Sequence, residues 1–382
     1  MDPALSPEHE EIRRTARAFC DKEIVPFARA WDRAEEMDPG IVTKLAEAGF
    51  LSSVFPTEHG GMGLDNLSYC LMIEELGRAD SSVRGIVSVN VGLVGKTILR
   101  HGTPEQRARY LPRLAAGELG CFALTEPGSG SDAASLRTTA RRDGSSWLLN
   151  GSKLFITNGT WARLALVFAR TGGEGARGIT AFVVEASSPG FSARPVKGKL
   201  GLRAQDTAEL SFDDVRVDDA DRLGEVGAGF KIAMSALDNG RMSLAAGCVG
   251  IAQGCLDASI SYAGKREQFS RPIARFQLVQ ELIADMAVET QAARLLVWKV
   301  AALADHGADH TLESSMAKYY ASEVAVRAAN AAVQVHGGYG YIDEYPVGKY
   351  LRDARVTTLY EGTSQIQKLI IGRALTGESA LL

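Results

Sequence analysis

Gly120–Asp132 reads GCFALTEPGSGSD, a short apolar run that passes straight into a loop of small polar residues. The loop holds Gly-x-Gly but not GxGxxG, no helical pattern follows at once, and no βαβ unit surrounds it, so the dinucleotide-fold fingerprint fails its context. Further short β-forming runs follow: Trp147–Leu149, Leu154–Thr157, Leu164–Ala169 and Thr180–Val184. Asp143-Gly144 and Asn150-Gly151 have the composition of hairpin turns between them. No helix-period segment interrupts this region up to about Val217, which predicts an antiparallel β unit and not a parallel βαβ sheet.

Helices are expected on both sides. Ser6 can cap a first helix with Pro7 at its first position, and Ile12, Ala16, Phe19 and Cys20 recur at helical spacing. Pro56 and His59–Gly63 make a loop, after which a helix starts near Asn66 and others continue to about Leu114. From about Gly227 the pattern is helical again, over Phe230–Gly264, Leu278–Asp305, Glu313–His336 and Gln365–Leu375. Apolar residues cover more than one side of these helices, which predicts a bundle whose outer members meet another subunit. The fold class expected is α+β in three units: residues 1–118 helical, 119–227 β, and 228–382 a helical bundle.

The 382 residues are 46% apolar and 23% charged, typical of a globular chain with a sizeable core. A net charge of −4 gives no electrostatic case for nucleic acid. Five scattered cysteines read as buried thiols in a reducing compartment, and six histidines with no HxxxH or CxxC argue against a metal site. The opening MDPALSPEHEEIRR is acid-bearing and lacks an apolar leader core, and no uninterrupted run of about 18 apolar residues occurs. The expected location is the cytoplasm, without a membrane span.

Three segments suit chemistry. In the first, Phe122–Asp132, flexible small residues let a ligand approach backbone amides. In Leu154–Gly159, Phe155 offers a flat face and Thr157 a hydroxyl two residues on, which a regular strand projects to one side. In Tyr360–Gln365, Glu361 precedes Gly-Thr-Ser-Gln just before a helix, so its carboxylate can face a cavity. Each also has a plain structural reading: a surface turn, a strand ending in a turn, and a capping segment with a solvated Glu.

Together, FALTEPGSGSD (122–132), NGSKLFITN (150–158), REQF (266–269), QVHGGYG (334–340) and LYEGTSQIQKLIIGR (359–373) resemble the acyl-CoA dehydrogenase family, in the family's order and over almost the whole chain. Ala236–Arg241, ALDNGR, is most similar to the short-chain, butyryl-CoA branch. The resemblance implies an N-terminal α domain, a middle β domain and a C-terminal four-helix bundle. It also implies a homotetramer (a dimer of dimers) with one FAD per subunit, oxidising acyl-CoA and passing electrons to electron-transfer flavoprotein.

On that resemblance, Phe122, Leu124, Thr125, Gly130 and Ser131 border flavin or thioester, while Phe155 and Thr157 meet the isoalloxazine ring. Arg266, Phe269, Gln277, Gln334, Gly337 and Gly338 match contacts to a neighbouring subunit's FAD, and Thr363 and Gln365 match further FAD contacts. Asp238 and Arg241 match CoA contacts, and Gly362 and Arg373 lie at substrate-side positions. The family's base stands either in the YEGT motif or, in the isovaleryl branch, on the long helix; that helix position is Gly240 here, which selects Glu361. The implied reaction is α,β-dehydrogenation to a trans-2-enoyl thioester, with Glu361 taking the α-proton and flavin N5 the β-hydride.

Arg84 departs from the butyryl-type pattern. Asp80–Arg84 resembles glutaryl-CoA dehydrogenase, in which the matching arginine holds the distal carboxylate, although a second acidic position of that enzyme is Gly77 here. The plain reading is an Arg84 turned to solvent. An acyl-carrier-protein thioester would suit the same chemistry. From a different class, a non-catalytic acyl-CoA binding protein would share the fold, but Glu361, Thr157 and Thr125 speak against it.

Overall fold

The computed structural model describes residues 5–380, so the first four residues of the opening stretch and the closing Leu381-Leu382 lie outside it. Helix α1 (Pro7–Glu23) is capped by Ser6, whose side chain accepts the His9 amide, with Pro7 in the first turn. Helices α2 (Val25–Ala34) and α3 (Gly40–Glu47) lead to α4 (Asn66–Ala79), which is buried along almost its whole length. A continuous helical run follows: α5 (Ser81–Val87), a π-helical stretch Ser88–Gly95, and α6 (Lys96–His101). Helix α7 (Pro104–Ala115) closes the unit with a capping box between Thr103 and Gln106.

The middle unit is a sheet of β1 (Gly120–Ala123), β2 (Thr139–Asp143), β3 (Ser146–Thr157), β4 (Leu164–Arg170), β5 (Ile179–Glu185), β6 (Phe191–Pro195), β7 (Thr207–Asp218) and β8 (Arg222–Leu223). The order is β6-β7-β3-β2-β4-β5-β8, with β1 beside β4. Pairing is antiparallel apart from β1 on β4 and one residue pair between β2 and β4. Side-chain alternation decides the packing. Ala165, Val167 and Ala169 of β4 join Phe182 and Val184 of β5 in a core within the sheet unit, with Trp147, Leu149 and Leu210. Their neighbours Leu164, Leu166, Phe168, Ala181 and Val183 point to the helices.

Asp143-Gly144 is a turn between β2 and β3, but Asn150-Gly151 is not. The chain runs on through it as one strand, with a register shift at Leu149/Gly151, a φ of 141° at Gly151, and Thr138 so close that a Cβ there would lie 2.7 Å from its hydroxyl. The two short runs expected on either side are therefore one strand with a bulge.

The C-terminal unit comprises α8 (Gly229–Lys265), α9 (Gln277–Asp305), α10 (Thr311–His336), α11 (Val347–Thr357) and α12 (Ser364–Thr376), with a small hairpin, β9 (Glu267–Gln268) and β10 (Arg271–Pro272), after α8. Helix α11 is absent from the sequence-based expectation. It is clamped by charge: Lys349 donates to Asp80 at 3.0 Å and to Asp353 at 2.6 Å, and Asp353 also accepts the Leu202 amide at 2.6 Å. One side-chain cluster thus ties all three units together. The two aspartates hold Lys349 charged despite its burial, raising its pKa.

Two helical stretches, Ser81–His101 and Gly229–Lys265, are long and apolar enough to cross a membrane by length and composition alone. The most apolar 18-residue window of each is 89% and 78% buried inside the fold, as in central core helices. Their close packing uses glycine. A Cβ on Gly77 of α4 would lie 2.3 Å from the Gly247 carbonyl oxygen of α8, and one on Gly247 would lie 2.8 Å from Arg84 Cδ.

Candidate active site

The turn between α11 and α12 places Glu361. Thr363 caps α12 by accepting the Ile366 amide, so the helix begins at Ser364. Just before it, Glu361 (φ 53°) and Gly362 (φ 89°) are both left-handed. A non-glycine residue pays about 1 kcal/mol or more for that conformation. The reversal turns the Glu361 side chain inward, not to solvent: Oε2 is buried and has no hydrogen-bond partner among the described residues. Burial is the largest influence on this carboxyl and raises its pKa, while Arg84, Lys318 and Arg241 pull the other way.

Gly240 of α8 is the facing residue. A Cβ there would sit 2.4 Å from Glu361 Oε2 and 2.7 Å from Leu93 Cδ2. The two positions weighed for the carboxylate therefore point at one spot from two elements, and the glycine leaves space for the other's side chain.

Arg84 is buried, only 2% exposed, which overturns the solvent-facing reading. Its Nη2 donates to the Tyr360 hydroxyl at 2.6 Å and its Nη1 to Ser88 at 3.4 Å, while Nε lacks a partner among the described residues. Polar groups continue from there, with Ser88 2.8 Å from Ser243 and Ser243 3.0 Å from Tyr69.

Around β1 and β3 a second set converges. Phe122 is half-buried against Phe168, with ring centroids 5.0 Å apart, and Leu124 is buried. The Thr125 carbonyl accepts the Leu154 amide at 2.9 Å, which draws the loop after β1 alongside Phe155. Glu126 anchors that loop: it accepts the amides of Arg137 (2.6 Å) and Thr138 (2.9 Å) and the buried Lys153 ammonium (2.8 Å). Ser131 is exposed, and a Cβ on Gly128 or Gly130 would meet open space. Regular alternation does not carry Phe155. A second bulge puts it at φ 61° and leaves it 63% exposed, between buried Lys153 and half-buried Thr157.

An exposed aromatic face, an open glycine-bearing loop and Thr157 fit a flat heteroaromatic ring system such as the isoalloxazine of FAD. Sequence reasoning missed Gln205, whose Nε2 donates to Thr157 Oγ1 at 3.0 Å and thereby leaves the Thr157 hydroxyl proton free to point outward. It also missed Asn158, which ties α5 to β1 through the carbonyls of Ile86 (3.3 Å) and Gly120 (3.2 Å).

A third group lies at the end of α8 and α10. Arg266, Gly337 and Gly338 line a concavity of about 530 Å³ with Tyr262, Gln268 and His336, and the Arg266 guanidinium lies 5.4 Å from the Tyr339 ring centre. Phe269 is 88% exposed, and Gln277 and Gln334 are exposed. On α8, Arg241 pairs with Asp238 at 2.7 Å, and Asp238 also accepts from Thr311 at 2.9 Å. Gln365 is exposed in the first turn of α12. Arg373, also exposed, lies nine residues beyond Ser364, about 14 Å along the helix from the Glu361 turn.

Residues 6–118, 121–215 and 227–376 match the acyl-CoA dehydrogenase N-terminal, middle and C-terminal domains. The chain is 44% identical to the short-chain specific acyl-CoA dehydrogenase of Mus musculus, over 96% of this chain and 90% of that one. The butyryl-CoA dehydrogenase of Megasphaera elsdenii superposes with a TM-score of 0.96 at 40% identity, covering 98% of this chain and 100% of that one. The glutaryl-CoA dehydrogenase of Mycobacterium smegmatis gives 0.95 at 38% identity, covering 100% and 98%.

Proposed function

The chain belongs to the acyl-CoA dehydrogenase family of FAD-dependent oxidoreductases, and on that premise we propose that it desaturates a short acyl-CoA between its α and β carbons, with Glu361 as the base. The observation that carries the assignment of the base is the buried, unpartnered Oε2 facing Gly240. Bound FAD supplies the two-electron acceptor for the β-hydrogen.

The protein's part is to make a weak carbon acid yield its proton. A carboxylate stripped of water is a stronger base, and the burial that raises the pKa of Glu361 provides this. Among the described residues the Glu361 amide gives no backbone hydrogen bond, so it is free to donate to a thioester oxygen on which negative charge develops. Phe155, Thr157, Thr125 and Ser131 would hold the flavin. Arg266, Gly337, Gly338 and their exposed neighbours would hold that of a second subunit in a homotetramer. Electron-transfer flavoprotein would be the oxidant.

Arg84 favours a second reading, a short dicarboxylyl-CoA such as glutaryl-CoA. A buried guanidinium whose hydrogen-bond partners are two neutral hydroxyls is costly, and an incoming carboxylate would relieve it.

Anaerobic addition of butyryl-CoA is expected to bleach the flavin band rapidly. A yellow protein that bleaches with neither butyryl-CoA nor glutaryl-CoA contradicts both substrate readings. Replacing Arg84 by Ala is expected to lower the glutaryl-to-butyryl ratio of kcat/KM by about tenfold or more if the acid is the substrate. An unchanged ratio removes the carboxylate role.

A further inference from the structure

We propose that Lys318 is a positioning residue for the base: its ammonium holds the Gly362 carbonyl, fixing the turn that projects Glu361, and its charge favours the ionised carboxylate. This rests on the reading of Glu361 as the base.

Lys318 stands on α10 and is 0% exposed, an expensive place for a long cation. Its Nζ donates to the Gly362 carbonyl at 2.6 Å. From α12, Gln367 Nε2 reaches the carbonyls of Glu361 and Gly362, both at 3.1 Å. Two side chains on two helices thus take the carbonyls of the two left-handed residues. Such a turn persists only where its surroundings over-determine it.

Charged groups face the carboxyl from three helices. Arg84 comes from α5, Arg241 with its partner Asp238 from α8, and Lys318 from α10. Burial pushes the Tyr69 and Tyr360 phenols and the Cys248 thiol up, so these stay neutral. Arg241 is balanced by Asp238, whereas Arg84, the larger influence, bonds two hydroxyls and Lys318 bonds a carbonyl, so these two charges act on Glu361, with Glu323 also near Lys318. Burial pushes the Lys318 ammonium down to about 8, with Cys248 and Glu361 opposing that fall.

The test is the pH dependence of anaerobic flavin reduction by butyryl-CoA in FAD-loaded protein. Lys318→Met is expected to reduce the rate about tenfold and to move the acid limb up by about one pH unit. Lys318→Arg is expected to keep the limb in place. Gln367→Leu, which loosens the same turn without changing charge, is expected to lower the rate with the limb unmoved. Lys318→Gln, which removes the charge but stays polar, is expected to shift the limb as the Met variant does and serves if that variant cannot hold FAD. The proposal is overturned if the limb of the uncharged variants superimposes on that of the parent. It is equally overturned if neither uncharged variant holds FAD, since Lys318 is then a folding residue. Glu361→Gln run alongside separates the two failures. If it reduces flavin at the parental rate, the base assignment falls; if it is silent while the Lys318 variants keep the parental limb, only the positioning role falls.

Discussion

Glu361→Gln is expected to load FAD and bind acyl-CoA as the parent does while turnover falls by about 10²–10⁴-fold, the usual contribution of a positioned general base. The variant is also expected to be at least as heat-stable at neutral pH. The raised pKa of Glu361 means the folded state prefers the protonated carboxyl, so ionisation works against folding. That stabilising preference is complete below the ordinary value of 4.5 and is lost as pH rises through the folded pKa. Glutamine resembles the protonated form and carries no such loss. Parallel measurements of kcat and Tm decide the matter: near-parental turnover removes Glu361 from the mechanism, and a lower Tm contradicts the electrostatic account.

Lys153→Met is expected to cost about 3–5 kcal/mol of stability, the penalty for leaving one member of a buried ion pair alone. Lys153 is fully buried and bonds both the Glu126 carboxylate at 2.8 Å and the Leu124 carbonyl at 3.1 Å. Without it, Glu126 keeps two backbone amides but no counter-charge. The loop after β1 loosens, so flavin affinity is expected to fall too. Adding Glu126→Gln should restore a good part of the loss, because no buried charge then remains. Denaturant titration of the two single variants and the double variant measures the coupling. Additive losses would show that the pair acts through packing alone.

Much of the fold and site was legible in the sequence, for reasons particular residues make clear. The continuous apolar runs Leu164–Ala169 and Thr180–Val184 read directly as strands, and they lack polar alternation because each face meets its own apolar cluster. The Asn150-Gly151 dipeptide misled, since a glycine with φ 141° serves a bulge as well as a turn. Helix α11 escaped because its buried side includes Asp353, which blurs the apolar period. The Glu361 turn was visible as a motif, but that its carboxylate opposes Gly240 is a fact of three dimensions.

Lys318 and Gln205 look like ordinary surface residues in the sequence. One signal for Lys318 existed: Ser314, Lys318 and Ser322 recur every four residues and all are buried, a small-residue stripe with a cation inside it. Nothing in the sequence marks Gln205, because its partner Thr157 is 48 residues away.

The glycine contact between α4 and α8 also limits what the lineage of this chain can become. Position 77, where the glutaryl-type pattern carries an acid, abuts the Gly247 backbone, and Gly247 in turn lies beneath the Arg84 side chain. An acid at 77 cannot be tried by one substitution without prising two core helices apart, and even alanine at 247 would disturb Arg84. The three sites are mutually locked. Divergence toward a different acyl terminus is therefore expected to pass first through Arg84, the only one of the three whose side chain can shrink while the helices stay in place.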